Sequence, residues 1–374
     1  MDLDYTTEQK LIKDEAFNFL KKECPYSLVK ELEESEAGYS RKIWKKMAEL
    51  GWLELAFPVT YGGGGGQFFD LVLLHEEMGK ALLPSPFFST VIQCGLTILE
   101  GGSEEQKQNL LPEISKGKLL MALAQYEEDA SYYLSDITMQ AERQGGQYVL
   151  NGTKMFVPDA NIADKLIVVV KTGVTEVSLL QVAGDDPGLR VTKMPTIGMD
   201  NTCEVIFKNV KTAQENMLGR PGQAEAILEK MNAKAMLLKA AEMIGSCRAC
   251  LDMTTAYAKE RNQYGKPIGG FQIIQHYLAN MLIEYNTCHN YLYRTASVVD
   301  SGEDFGRDAS ALKACVNEVY KFISERAVQI HGGIGTTREA DVGLFFRKAK
   351  SNEFICGDTE MHREKVFESL LAQA

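Results

Sequence analysis

The segment that decides the fold is QIHGGIGTTREADVGLFFRKAKSNEFICGDT, residues 329–359. It begins where a long helical pattern of apolar residues stops, and Gly332-Gly333 is typical of the glycines that end a helix. It finishes around Gly357, directly before another helical pattern over residues 359–372. The segment therefore predicts a connection between helices of a helical C-terminal region.

Upstream of this segment the apolar periodicity changes twice. Apolar residues recur at helical spacing from about residue 5 to residue 117, and short β-rich runs replace them between about residues 119 and 214. Helical spacing then returns in long segments at roughly 225–259, 271–301, 305–331 and 359–372. This order predicts an α+β fold of three domains: a helical domain (1–118), a β domain (119–220) and a second helical domain (221–374).

Two glycine-containing stretches predict turns. PVTYGGGGGQ, residues 58–67, cannot continue a helix, because five successive glycines cost too much conformational entropy and Pro58 breaks the approach. It predicts a surface loop rather than a phosphate cradle, since no Lys-Ser or Lys-Thr follows. Asn151-Gly152 lies between two apolar runs and is the strongest hairpin signal, since both residues tolerate positive φ.

Composition excludes several classes of function. The formal net charge is -11 and the pI is about 5.2, which argues against a nucleic-acid partner, because such a surface needs clustered Lys and Arg. No run of 18 apolar residues predicts a membrane span, and the acidic start MDLDYTTEQK does not fit a signal peptide, so we expect a soluble cytoplasmic protein. Eight scattered cysteines, Cys247-x-x-Cys250 among them, fit reduced, mostly buried thiols better than disulfides or a metal site.

Five motifs, in this order and spacing, resemble the acyl-CoA dehydrogenase family over essentially the whole chain. They are DYTTEQKLIKDEAFNFL, PVTYGG, YVLNGTKMFV, YAKERNQYGKPIGGFQ and QIHGGIG. The resemblance implies an N-terminal helical domain, a middle β-barrel or β-sandwich domain and a C-terminal four-helix bundle. It also implies FAD, an acyl-CoA substrate, an electron-transfer flavoprotein as electron acceptor, and a homo- or heterotetramer.

The resemblance assigns cofactor contacts residue by residue. Arg261 matches the arginine that meets the flavin pyrophosphate across a subunit boundary, and a guanidinium suits such a bidentate phosphate contact. The other implied FAD contacts are Gln263, Tyr264, Phe271, Gln272, Gln329, Gly332, Gly333, Phe156 and Thr359. His331 is interpreted as part of the packing of the cofactor loop.

The chain departs from the family at the catalytic base. Gly357 stands where the commonest members carry a glutamate, and Ala235 stands at the alternative base position. Asp358 and Glu242 are the remaining candidate bases, although each also fits an ordinary structural carboxylate, and for Asp358 a charge at a helix N-terminus. The catalytic residue is therefore unknown at this stage.

Two further departures occur at the implied flavin site. AQYEEDASYYLSD, residues 124–136, replaces a stretch of small residues, and Phe156-Val157-Pro158 replaces Trp-Ile-Thr. The pattern Gly-Asp-x-x-x-His-Arg at residues 357–363 resembles the small subunits of heteromeric acyl-CoA dehydrogenases, in which the partner subunit supplies the base. His362 within it is interpreted as a helix-surface histidine that contacts a neighbour.

Three hypotheses follow from these departures. The chain is an FAD-dependent acyl-CoA dehydrogenase subunit, active with a partner or through another carboxylate; or it is a non-catalytic subunit that completes the partner's FAD site; or it performs another reaction on the same scaffold. Branched, cyclic, dicarboxylic and steroid side-chain acyl groups all remain possible substrates.

Overall fold

The computed structural model describes residues 5–372, which contain helices, then strands, then helices. The helices are α1 (Thr7–Glu23), α2 (Tyr26–Glu34), α3 (Arg41–Glu49), α4 (Phe68–Ala81), α5 (Leu96–Gly101), α6 (Glu104–Ser115), α7 (Ala224–Glu260), α8 (Gln272–Ser301), α9 (Gly306–His331), α10 (Val342–Phe354) and α11 (Thr359–Leu371). The strands are β1 (Met121–Ala124), β2 (Ala141–Gln144), β3 (Gln147–Pro158), β4 (Lys165–Lys171), β5 (Val177–Ala183), β6 (Leu189–Lys193), β7 (Thr202–Ala213), β8 (Met217–Leu218), β9 (Asn262–Gln263) and β10 (Lys266–Pro267). The predicted α+β fold, with helices before and after the strands, is confirmed.

The described residues divide into two compact units. Unit 1 contains residues 5–31, 67–83 and 233–372, and unit 2 contains residues 32–66 and 84–232. Unit 1 is built from helices and the two-stranded hairpin β9-β10, whereas unit 2 combines helices with two four-stranded sheets. Among the described residues, no helix is long and apolar enough to cross a lipid bilayer.

The sheets of unit 2 form a sandwich. One sheet has the strand order β1-β4-β5-β8 and the other β2-β3-β7-β6, and β1 pairs with β4 in parallel while the remaining pairs are antiparallel. Strand β4 carries the continuous apolar run LIVVV, which is buried throughout. Its Val168 belongs to one core cluster with Leu150 and Val205 of the other sheet, so burial of apolar side chains holds the two sheets together.

The hairpin predicted at Asn151-Gly152 is wrong. Both residues lie inside β3, which continues to pair with β7 on either side of them. The register shifts there because β7 has a bulge: Asn209 takes a positive φ of 53° and its backbone N–H donates to Asn151 Oδ1 over 2.8 Å. The glycine pair that does turn the chain is Gly145-Gly146, with φ values of 56° and 85°, between β2 and β3.

The glycine stretch after Pro58 forms a loop, as predicted. A single 3₁₀ turn is followed by a return of the chain, in which Gly64 N–H donates to the Glu54 carbonyl over 2.7 Å and Gly65 N–H donates to the Phe57 carbonyl over 3.1 Å. These two N–H groups already have acceptors, so they are not available to bind a phosphate. The structure therefore agrees with a structural loop rather than a phosphate cradle.

The long C-terminal helices begin and end within a few residues of the predicted segments, but α10 was not predicted. Its sequence VGLFFRKAKSNEF has three consecutive apolar residues, Leu344 to Phe346, which obscure the helical period. Only Leu344 and Phe345 of the three are buried, and Phe346 is 41% exposed. The tertiary packing, rather than a clear periodic pattern, decides the state of this segment.

Two glycines allow α4 and α7 to approach through their backbones within unit 1. A Cβ atom on Gly79 would clash with the carbonyl of Glu242, and a Cβ atom on Gly245 would clash with the carbonyl of Glu76. Ser246 Oγ donates to the Gly79 carbonyl over 2.9 Å at the same crossing. The close contact therefore requires glycine on both helices.

Replacing Gly79 with alanine tests this contact. We expect a loss of about 1–3 kcal/mol in the free energy of unfolding, because backbone on the facing helix cannot move away as a side chain would. Gly343→Ala is the matched control: it changes a helical glycine whose Cβ would lie 3.7 Å from the nearest atoms, so we expect unchanged or slightly increased stability. Urea unfolding measures both, and equal effects would contradict the proposed crossing.

Candidate active and cofactor site

Arg261 lies at the end of α7 and at the base of a small hairpin in unit 1. Its N–H donates to the Tyr257 carbonyl over 2.9 Å, and strands β9 and β10 follow immediately. Tyr264 and Gly265, at the tip, have φ values of 50° and 79°, as a type I′ turn requires. The Arg261 side chain is exposed, and within residues 5–372 it forms no hydrogen bond or ion pair. The guanidinium is therefore available to an anionic ligand.

The aromatic residues of this hairpin lie together. Tyr264 is 92% exposed, and its ring meets Phe271 edge to face, with the centroids 6.2 Å apart. Lys266 Nζ lies 4.4 Å from the Phe271 ring centroid. Gln263 in β9 and Gln272 at the start of α8 are also exposed. The segment thus presents positive charge, amides and exposed rings on one short stretch of chain.

The glycines after α9 leave their backbone accessible. Gly332 has a φ of 67°, and no atom lies within 4 Å of a Cβ built on Gly332 or Gly333. Gln329, on the last turn of the helix, is exposed. Open backbone at two adjacent glycines, together with the unpaired Arg261 guanidinium, fits the phosphates and extended shape of a dinucleotide such as FAD.

His331 has a packing role in the same region. Its ring stacks on Tyr257 with centroids 4.2 Å apart, and its Nδ1 lies 2.8 Å from the Ala327 carbonyl. Burial lowers the pKa of His331 below its ordinary value. This geometry agrees with the interpretation of His331 as part of the loop packing.

In unit 2, Phe156 projects outward from β3. It has a φ of 54°, a rare conformation for an aromatic residue, at the register shift between β3 and β7. Its side chain is 42% exposed, whereas Val157 beside it is buried. The backbone at this point is also held from the 124–136 segment, because Met155 N–H donates to the Tyr126 carbonyl over 2.9 Å.

The 124–136 segment contributes a buried ion pair that the sequence did not reveal. Lys154 Nζ lies 2.8 Å from Glu127 Oε1, and the N–H groups of Thr138 and Met139 also donate to that carboxylate. Burial lowers the pKa of Lys154. Burial of Glu127 acts to raise its pKa, but the hydrogen bonds from Lys154 and Thr138 outweigh it and the net pKa is lowered. A charged pair thus anchors the segment in which the family has small residues.

A side chain at the position of the family's glutamate would be strained and would require Met361 and His362 to move. Gly357 has a φ of 112°, and a Cβ built on it would clash with the Met361 side chain and lie 2.8 Å from His362 Nε2. The alternative base position, Ala235, is fully buried and offers only a methyl group. Neither position can accept a proton from a substrate.

The two remaining carboxylates have structural partners. Asp358 is the N-cap of α11, and its Oδ1 accepts the Met361 N–H over 2.9 Å. Glu242 forms an ion pair with Lys239 over 2.6 Å, and its side chain is 26% exposed. Thr359, the first residue of α11, is buried. The structure thus agrees with the interpretation of Asp358 as a charge at a helix N-terminus.

The expectation that His362 lies on the helix surface is wrong. Its side chain is fully buried, because α11 packs this face against α9. Neither ring nitrogen has a hydrogen-bond partner among the described residues. Burial, reinforced by the positive charges of Lys313 and Lys365, lowers the pKa of His362 to about 3. The imidazole is therefore neutral at physiological pH and a weak base.

Lys313 of α9 is a buried residue that the sequence did not single out. Its Nζ, which has three N–H donors, lies within hydrogen-bonding distance of four acceptors: Asn317 Oδ1 at 2.6 Å and the carbonyls of Asn352, Glu353 and Gly357 at 3.1–3.2 Å. Burial lowers its pKa to about 7, with the nearby charge of Lys239 acting in the same direction. The helical period of α9 places position 313 on a buried face, but no short motif indicates that its amine binds the end of α10.

Replacing His362 with leucine tests the buried neutral imidazole. With a folded pKa of about 3 and an ordinary value of 6.5, the folded chain binds fewer protons than the unfolded chain between these pH values. The stability of the wild-type protein therefore falls as pH is lowered through this window, by about 2 kcal/mol from this residue at pH 5. We expect His362→Leu to gain that amount relative to wild type between pH 7 and pH 5, measured by urea unfolding. A difference that is constant with pH would contradict this picture.

Comparison with known proteins identifies the family. Profiles of the acyl-CoA dehydrogenase N-terminal, middle and C-terminal domains match residues 6–118, 122–210 and 224–371. The probable acyl-CoA dehydrogenase YngJ of Bacillus subtilis (strain 168) is 32% identical over 384 residues, which cover 99% of this chain and 100% of that relative.

Solved structures agree with these matches. Butyryl-CoA dehydrogenase from Megasphaera elsdenii is 28% identical, with a TM-score of 0.92 over 99% of this chain and 100% of that chain. A variant of the Tcur3481-Tcur3483 steroid ACAD is 27% identical, with a TM-score of 0.86 over 98% of each chain. The chain therefore belongs to the acyl-CoA dehydrogenase family of FAD-dependent oxidoreductases.

Proposed function

We propose that this chain is the base-lacking subunit of a heteromeric acyl-CoA dehydrogenase, and that its partner subunit carries the glutamate that removes the substrate α-proton. The single observation that supports this proposal is the backbone of Gly357: its φ of 112° is rare for any residue with a side chain, and a Cβ there would displace Met361 and His362. The structural partners of Asp358 and Glu242 argue against a substitute base in this chain.

We further propose which residues of the chain contact FAD. Arg261 would make a bidentate contact to the pyrophosphate, including that of an FAD bound mainly by the partner subunit. The remaining proposed contacts are Gln263, Tyr264, Phe271, Gln272, Gln329, Gly332, Gly333, Thr359 and Phe156. When bound, FAD accepts the hydride from the β-carbon of the acyl thioester and an electron-transfer flavoprotein then reoxidises it.

The assembly we propose is a heterotetramer with a second acyl-CoA dehydrogenase subunit. One similar solved structure, the Tcur3481-Tcur3483 steroid ACAD, has a name made of two protein designations, and this supports the pairing. We propose that the three domains divide at residues 118 and 220, as the sequence pattern suggests. All eight cysteines are free thiols, a state typical of reducing compartments, which supports a cytoplasmic location.

A second candidate function is that of a purely structural subunit, with no FAD site of its own. The observation that favours it is the buried Glu127–Lys154 pair, which occupies the segment where the family has small residues near the flavin. In that case the chain would still provide Arg261 to the partner's cofactor. The two candidates differ in how many FAD molecules one heterotetramer binds.

Partner dependence is the first test of the proposal. We expect the purified chain, supplied with FAD, to show no bleaching of flavin absorbance when butyryl-CoA or a steroid side-chain acyl-CoA is added under anaerobic conditions, because it contains no base at the reacting position. Coexpression with a subunit from the same organism that carries the aligned glutamate should restore bleaching. The flavin content per tetramer then separates the two candidates, and bleaching by the chain alone would contradict both.

Arg261→Ala tests the phosphate contact. In the assembled complex we expect flavin content to fall at least tenfold at limiting FAD, since loss of a charge-assisted bidentate contact costs about 1.5–3 kcal/mol. Lys259→Ala, which removes an exposed positive charge two residues earlier, is the matched control and should leave flavin content unchanged. Equal loss in both variants would indicate a nonspecific charge effect instead of a phosphate contact.

A further inference from the structure

Two thiols of unit 1 lie in direct contact. Cys288 of α8 and Cys315 of α9 have their Sγ atoms 3.2 Å apart, close enough for one thiol to donate to the other. The two helices run antiparallel as a hairpin and pack along their length. Among the described residues, no other two cysteine sulfurs are in hydrogen-bond contact. The contact therefore distinguishes this pair from the other six cysteines.

The two cysteines differ in their access to solvent. Cys288 is 1% exposed, whereas Cys315 is partly exposed. Cys315 is therefore the residue of the pair that lies nearer to solvent, and its sulfur contacts that of the buried Cys288. This arrangement, one accessible thiol with a second thiol next to it, is typical of redox-active cysteine pairs.

We propose that Cys288 and Cys315 form a dithiol that hydrogen peroxide or a similar hydroperoxide converts to a disulfide. In the first step the Cys315 thiolate attacks one peroxide oxygen, the O–O bond breaks, and Cys315 becomes a sulfenic acid while hydroxide leaves and is protonated to water. In the second step the Cys288 sulfur attacks the Cys315 sulfur. The S–S bond forms, the S–O bond breaks, and the second hydroxide leaves with the Cys288 proton as water, so the two electrons lost by the thiols reduce one peroxide to two waters.

The hydrogen bond between the thiols supports the order of these steps. Either thiol can donate, and when Cys288 donates, the bond lowers the pKa of Cys315 and raises that of Cys288, although burial, Glu284 and Glu318 act to raise the pKa of Cys315. The thiolate is the nucleophilic form of cysteine, so the more exposed sulfur is also the more readily ionised one. Cys315 is therefore the attacking residue and Cys288 the resolving residue.

The disulfide would join α8 to the helix that supports the Gly357 segment. A disulfide needs its sulfurs about 2.05 Å apart, so the two atoms must approach by roughly 1.2 Å, which small side-chain rotations can provide. Lys313 and Asn317, on either side of Cys315 in α9, bind the end of α10. Such a bond in a reducing compartment would be transient and responsive to peroxide.

The test treats the complete protein with hydrogen peroxide, blocks free thiols with an alkylating agent, and measures intact mass and peptide masses. We expect the mass before alkylation to fall by about 2 Da, two thiols to escape alkylation, and one cross-linked peptide pair containing residues 288 and 315. Dithiothreitol should restore both thiols. A native protein with eight alkylatable thiols after unfolding, or a cross-link between other cysteines, would overturn the proposal.

Variants separate the pair from general oxidation. In Cys288→Ala, Cys315 should accumulate as sulfenic or sulfinic acid. In Cys315→Ala, both the cross-link and these acids should be absent. Cys203→Ala removes a buried thiol in unit 2 and should keep the cross-link. Alanine is a conservative replacement for these cysteines, and circular dichroism of each variant checks that it folds. If Cys288→Ala shows no oxidation at Cys315, the assigned order of attack is wrong.

Discussion

The contact between the buried Lys313 amine and the carbonyls at the end of α10 supports much of the local structure around the position of the missing base. Asn317 Nδ2 also donates to the Glu353 carbonyl, over 3.4 Å, so the amine and this amide together satisfy the carbonyls. Lys313 binds the carbonyls of Asn352, Glu353 and Gly357, and so fixes the turn that leads to α11.

The same contact affects the electrostatics of the region. Lys239 and Lys313 are both buried, and each positive charge makes a further positive charge nearby less favourable. Burial of the imidazole in surroundings of low dielectric constant lowers the pKa of His362, beside Gly357, and the charge of Lys313 lowers it further, so the ring is neutral. A glutamate base requires a site that tolerates a proton on its carboxylate during reaction. Here the two nearby lysines already have partners: Lys313 binds backbone carbonyls, and Lys239 forms an ion pair with Glu242.

Sequence patterns predicted those parts of the fold that depend on local periodicity. The α7, α8, α9 and α11 segments show a helical period in the sequence, and the strands β3 to β7 appear as short apolar or alternating runs between turns. The hairpin prediction at Asn151-Gly152 failed because this dipeptide also occurs within a strand whose partner strand contains a bulge. The ion pair of Glu127 and Lys154 could not be predicted, because its partners are 27 residues apart and meet only through tertiary packing.

At the candidate site, too, the sequence shows which residues are present but not how they pack. The lack of a carboxylate at positions 235 and 357 is visible in the sequence, but the reason why one cannot simply be added is not. A side chain at position 357 would require a left-handed backbone that L-residues rarely adopt, and displacement of both Met361 and His362. Changing that backbone would in turn disturb the carbonyl that Lys313 binds. The absence of a base is therefore built into several coupled contacts, and coupled contacts do not change independently. These contacts are the physical ground for the proposal that a second subunit supplies the base, because assembly would leave them intact.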